Sequence, residues 1–223
     1  MKIENKPEHD PVTDLYTADA YMRWALLAAE DVIGTQGLAV VLREAGLERF
    51  INNYPPEELT TPSRDITFGD YAAFNAALFD FFGRAGKSMV LRIGRLSTKR
   101  SIERQGEVFN IAATLASKVL PLPKQMKMGL ENIQKGFRKL SQSVGQDQRV
   151  RVEDRGDKLA YVTEDCPMCA GKLADEAICW LWTGSLKEAA QWLTGKEFEI
   201  VQVECRAMGN PTCTWEISKS PKD

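Results

Sequence analysis

The sequence predicts an α+β fold: a helical N-terminal block packed on an antiparallel four-stranded sheet. Three observations predict it. Up to about residue 145, apolar residues recur at the 3.6-residue period of helices. Beyond it the pattern changes to short alternating runs in the order β-β-α-β-β, which suits helices on one face of an antiparallel sheet. The 223 residues are 43% hydrophobic and 27% charged, an ordinary globular balance, and no repeat or Pro/Gly/Ser linker separates the halves. The expected organisation is therefore a flexible tail at 1–14 and a single domain at 15–220, with helical layer at 15–145 and cysteine-rich sheet module at 146–220.

The first stretch, MKIENKPEHDPVTD, is polar, carries two prolines and has no apolar leader-like run, so a cytoplasmic location is expected. It holds His9, the chain's single histidine, which leaves the domain proper without Ser-His-Asp or Cys-His machinery. From Thr17 to Ile33, Met22, Leu26, Ala29 and Ile33 keep helical spacing, and Gly34 is a stop. Leu38, Val41, Leu42 and Ala45 make a second short helix ending at Gly46. No apolar run approaches the ~20 residues of a membrane span. Thr67 with Asp70 reads as a capping box for a helix carrying Tyr71, Phe74, Leu78, Phe81 and Phe82, whose aromatic weight fits a core or a dimer interface. Met89, Ile93 and Leu96 mark a further helix. Ile111, Ala112, Leu115 and Val119 mark another, stopped by Pro121-Leu122-Pro123. Met126, Leu130, Ile133, Phe137, Leu140 and Val144 then form a long stripe. Basic residues from Lys118 to Lys139 fall largely off that stripe, and the net charge is −2, so a solvated face is expected and no nucleic-acid partner.

Val150 and Val152, then Leu159, Tyr161 and Thr163, read as strands joined by Asp154-Arg155-Gly156-Asp157. After CPMC comes a helix from Ile178 to Leu193, then strands over Glu197–Cys205 and Thr212–Ile217. All five cysteines lie in this third. Cys205 and Cys213 flank the turn Met208-Gly209-Asn210-Pro211, Cys179 opens the helix, and Cys166 and Cys169 form a CxxC. Such a layout brings several thiolates to one point and suits a soft metal, zinc above all. The ligand set expected is Cys179, Cys205, Cys213 and Cys169, with Cys166, Glu204 or water as alternatives for the last place. The competing reading is a small core of reduced thiols; an odd number of cysteines and a reducing compartment both argue against disulfides. A redox CxxC would need a helix starting at the motif, and here it starts some ten residues later. Neither GxGxxG nor GxxxxGK[ST] occurs and no acid–base pair stands out, so no nucleotide cofactor and no catalytic residue is expected.

The runs DCPMCAGK, ICWLWTGSLKEAAQWLTGKEFEI and VECRAMGNPTCTWEI resemble the vinyl-reductase-like, or hydrocarbon-binding, domain over about residues 148–217. That family's fold is similar to TRAPP trafficking subunits, which implies a homodimer formed through the N-terminal helices. In the family's phenol-responsive regulators zinc is held by a helix-start cysteine, two cysteines eight apart and a glutamate. Cys179, Cys205 and Cys213 match those cysteines, while Gln202 stands at the glutamate position. The histidine of the phenol pocket has no counterpart, so the resemblance implies a more apolar or lipid-like ligand. Met126, Leu130, Phe137, Tyr161, Trp182, Phe198 and Ile200 are the candidate lining residues, by apolar character and inward face. The alternatives are a tetrapyrrole (bacteriochlorophyll) vinyl reductase or its accessory protein, and an interaction scaffold with a filled core.

Overall fold

A computed structural model describes residues 2–59, 63–104 and 119–222. The helix expected around Ile111, Ala112 and Leu115 lies outside the described residues. The α+β architecture is as expected. Five described helices, α1 (Asp19–Glu44), α2 (Phe68–Phe82), α3 (Gly86–Arg104), α4 (Leu122–Ser143) and α5 (Trp180–Thr194), accompany six described strands. The strands are β1 (Ile3–Asn5), β2 (Val150–Arg155), β3 (Lys158–Thr163), β4 (Lys172–Ala174), β5 (Phe198–Glu204) and β6 (Cys213–Pro221). The main sheet is four-stranded and antiparallel in the order β2-β3-β6-β5. Its inner face presents Leu159, Tyr161, Trp215, Ile217, Phe198 and Ile200 to the core.

Local chemistry accounts for the helix boundaries. At α2 the Thr67 hydroxyl accepts from the Asp70 amide at 3.1 Å and the Asp70 carboxylate accepts from the Thr67 amide at 2.9 Å, the reciprocal pair read from sequence. In α1 the backbone leaves helical geometry at Gly34 (φ 71°, ψ 167°), a conformation that favours glycine, so the expected stop is a kink between two helical halves. Length and composition would allow α1 to cross a bilayer. In this fold its Met22, Leu26, Leu38 and Leu42 are buried in the core.

Two glycines set the spacing of the helical layer. A Cβ on Gly94 of α3 would stand 1.9 Å from the Leu181 carbonyl oxygen, and one on Gly184 of α5 would stand 2.1 Å from that of Leu91. The helices touch backbone to backbone, a distance only glycine allows.

The first fourteen residues differ from the mobile tail that their composition predicts. β1 pairs antiparallel with β4, a short strand the sequence reading omits. Asp10 is buried, accepting from Arg206 Nη2 at 3.0 and 3.1 Å, from Lys6 Nζ at 2.9 Å and from the Gly171 amide at 3.2 Å. One carboxylate thus ties the N-terminal segment to the loop after CPMC and to the β5–β6 connection. Nothing in composition signals such a long-range partner.

Candidate binding cavity and thiol centre

The thiol centre follows from sheet topology. β3 ends at Thr163, which pairs with Cys213 at the start of β6, and Cys205 directly follows β5. Cys166 and Cys169 leave β3 at that same end, and Cys179 is the N-cap residue of α5. All five sulfurs are buried and none is in a disulfide. Those of Cys166, Cys169, Cys179 and Cys213 lie within 4.8 Å of one another. Cys169 is 3.4 Å from Cys213, and Cys179 is 3.7 Å from Cys166, 3.9 Å from Cys213 and 3.7 Å from Cys205.

These separations fit one ion. Metal–sulfur bonds of about 2.3 Å in a tetrahedron place sulfurs about 3.8 Å apart, whereas a multi-iron cluster would spread them further. The protonation chemistry fits as well. Hydrogen bonds among the sulfurs, that with Cys166 first, bring the Cys169 thiol down to about 6, while burial pushes Cys179 and Cys213 well up. Buried thiols cannot all ionise together without a cation, and a divalent metal supplies the missing charge. The Arg206 amide donates to Cys213 Sγ at 3.3 Å, and the buried Arg206 Nη1 has no hydrogen-bond partner among the described residues.

Gln202 and the candidate fourth ligand Glu204 are both engaged in hydrogen bonds of their own. Gln202 Oε1 accepts from the Cys179 amide at 3.3 Å, which fixes this side chain at the start of the helix that carries a thiol. Glu204 accepts from the Thr214 and Thr212 hydroxyls at 2.5 and 2.7 Å. Asn75, fully buried on α2, donates to the carbonyls of Met168 and Ile178, both at 3.1 Å. It links the CxxC loop to the residue before Cys179.

Beside this centre lies a cavity of about 120 Å³ between α3, α4, α5 and the CxxC loop. Phe137, Trp182, Leu181, Leu186 and Ile133 line its apolar side, and Ser97, Thr98, Ser101, Asn132 and Ser185 contribute the polar atoms. Among the described residues, no charged side chain lines it. The aromatic wall continues a chain of ring contacts: Tyr21 to Phe137 at 5.5 Å, Phe137 to Trp182 at 5.4 Å, Trp182 to Tyr161 at 5.7 Å. Pro167 and Met168, the middle of CPMC, also line the cavity, so the loop that holds two thiols is part of its wall.

Of the seven lining candidates, the structure puts Phe137 and Trp182 at the cavity. Met126, Leu130, Tyr161, Phe198 and Ile200 sit in the packed core behind it. The four metal candidates Cys169, Cys179, Cys205 and Cys213 meet at one place, and Cys166 joins them. Sequence reasoning missed the hydroxyl residues of α3, because serines on a helix rich in Lys and Arg read as solvent-facing. The available signal is the buried row Val90, Ile93, Gly94, Ser97, Ser101, a face built from small residues at helical spacing.

Comparison with known proteins agrees with this division of the chain. An uncharacterised protein of Methanocaldococcus jannaschii is 31% identical over 71 residues, a match spanning 31% of each chain. Solved H-NOX proteins share the fold over nearly the whole length. The Fe(II) unliganded H-NOX protein from K. algicida superposes with a TM-score of 0.60 at 11% identity, covering 92% of this chain and 98% of that one. The S. oneidensis H-NOX protein in its Fe(II)NO state gives 0.54 at 12% identity, covering 90% and 99%. Residues 159–219, which carry the thiol centre, the strands around it and α5, match the vinyl reductase-like domain.

Proposed function

We propose that this chain is a non-catalytic small-molecule-binding protein that takes an apolar ligand into the α3–α4–α5 cavity and carries a structural zinc on its thiol centre. The observation that carries the binding reading is an aromatic-walled cavity without a single charged residue among its described lining. Sites for small molecules are of this kind, mostly apolar with a few placed polar groups. An apolar cavity of about 150 Å³ accepts a benzene-sized guest, so the space here suits one ring or a short chain. The likeness to H-NOX proteins is read as a likeness of fold. Cys169, Cys179 and Cys213 are the core of the zinc site, and Cys166 or Cys205 completes it. Four thiolates leave no open position for substrate or activated water, so the metal's work is to join the β5–β6 end of the sheet to the start of α5.

Native mass spectrometry of protein from its own host tests the reading directly. A retained apolar compound and one zinc per chain are expected; an empty cavity that also fails to bind apolar dyes would leave a scaffold. Reduced buried thiols fit the cytoplasm. Exposed Val40 and Phe81 on α1 and α2 fit pairing of two chains through the N-terminal helices, and sedimentation at micromolar concentration is expected to give a dimer.

A further inference from the structure

The cavity is apolar but not uniformly so, and its polar atoms are of two kinds. Some are already bonded within the protein. The Tyr71 hydroxyl donates to the Tyr21 carbonyl at 3.1 Å, and the Ser185 hydroxyl donates to the Leu181 carbonyl at 3.2 Å. Ser97 and Ser101 are different. Each is 8% exposed and each lines the cavity, yet neither hydroxyl has a hydrogen-bond partner among the described residues. Four residues apart on α3, they stand one turn above the other on one face, about 5–6 Å between Cβ atoms. Serines in helices ordinarily bond back to the carbonyl four residues earlier, as Ser185 does here. Two neighbouring hydroxyls left free of that bond and lining the cavity are donors and acceptors available to a ligand.

We infer that Ser97 and Ser101 form a hydrogen-bonding subsite, and that the ligand is an uncharged, ring-sized molecule bearing one hydroxyl or carbonyl group. This rests on the binding reading above and adds to it the chemistry of the ligand's polar end. Asn132 of α4 lines the same cavity and offers both an amide donor and an acceptor. The apolar part of the ligand lies against Phe137 and Trp182. A carboxylate or an ammonium is disfavoured by the lining itself. Among the described residues no side chain of opposite charge reaches the cavity, and an unpaired ion there would bear its full desolvation cost. A pure hydrocarbon fits the volume but leaves both hydroxyls unmet, or meets them only through trapped water.

The test is calorimetric titration of the full chain with three probes of one shape: toluene, benzyl alcohol and benzoate. Benzyl alcohol and toluene are expected to bind, and benzoate to bind at least tenfold more weakly than either. In the double variant Ser97→Ala, Ser101→Ala, affinity for benzyl alcohol should fall on the order of tenfold while that for toluene stays level or rises, as net hydrogen bonds of a few-fold each imply. Alanine is at home in a helix, and toluene binding reports that the cavity has kept its shape. Equal change for both probes, or benzoate binding as well as the alcohol, overturns the subsite while leaving the binding reading intact. If neither toluene nor benzyl alcohol binds the unmodified chain, the binding reading fails and the subsite falls with it.

Discussion

Replacing Gly184 with alanine separates two predictions of opposite sign. On helix propensity alone, alanine in the middle of α5 should stabilise by about 0.8–1.0 kcal/mol. The structure says otherwise, because the new Cβ would stand 2.1 Å from the Leu91 carbonyl oxygen and 2.9 Å from its carbon. Both are backbone atoms of α3, so no side chain can swing aside. Carbon–oxygen contacts settle at about 3.3–3.6 Å, so the helices must part by roughly 1 Å. A gap of that size forfeits about a quarter to a half of each dispersion contact across the interface, and overpacking in cores costs about 1–3 kcal/mol. After the propensity gain, a net loss of about 1 kcal/mol is expected. For a chain of this size that lowers Tm by about 2–4 °C. Differential scanning calorimetry on Gly184→Ala and Gly94→Ala measures it. The double variant should lose less than the sum, because both changes open one interface. A Tm equal to or above that of the parent would refute the argument, since only a helix pair with room between its backbones would allow it.

Cys213→Ser is expected to reduce bound zinc from about one per chain to well under one, and to lower Tm, by elemental analysis and thermal melting. Cys166→Ser and Cys205→Ser each leave four thiols at the centre and should keep the ion, so loss of metal from either would remove the idea of a surplus ligand. Asp10→Asn should cost about 3 kcal/mol, because it leaves the Arg206 guanidinium buried against a neutral group. Although burial pulls the other way, hydrogen bonds from Lys6 and Arg206 hold the Asp10 carboxyl well below the usual range. Its contribution is therefore full above the ordinary carboxylate pKa of about 4 and is lost as pH falls through the depressed range of the folded carboxyl, so the gap between urea midpoints of parent and variant should begin to narrow below about pH 4 and still be open at about pH 3. Trp182→Ala should abolish uptake of an apolar dye, with a stability loss below the ~3–5 kcal/mol of a fully packed tryptophan. Because Trp182 is only partly buried and borders a cavity, a large loss with unchanged dye uptake would contradict its role as a wall.

The fold was legible wherever the signal is local. The capping box at Thr67 and Asp70, the break at Gly34, the stripe from Met126 to Phe137 and the turn between Cys205 and Cys213 each depend on residues a few positions apart. The meeting of the cysteines was legible too, because hairpin topology fixes where strand ends go. The cavity was not. Whether Tyr161 or Phe137 faces empty space depends on how closely α3 approaches α5, and a pair of glycines ninety residues apart decides that. Apolar character alone therefore selected core residues such as Phe198 and Ile200 along with true lining residues, and left out the serines. The docked N-terminal segment was illegible for the same reason: the partners of Asp10 lie at Gly171 and Arg206.

The shared loop at Pro167 and Met168 has a thermodynamic consequence. These two residues bound the cavity, while their immediate neighbours Cys166 and Cys169 belong to the thiol centre. Free energy that a bound ion contributes to holding this loop in place is free energy a ligand no longer has to supply when it enters. Linkage makes the relation symmetric, so a ligand that needs the loop in position tightens the ion by the same factor. Couplings between sites commonly run to about 1–3 kcal/mol, or five- to 150-fold in affinity. At such a strength, with an ion at the proposed thiol site and a ligand in the proposed cavity, loss of the ion would weaken the ligand by that same factor.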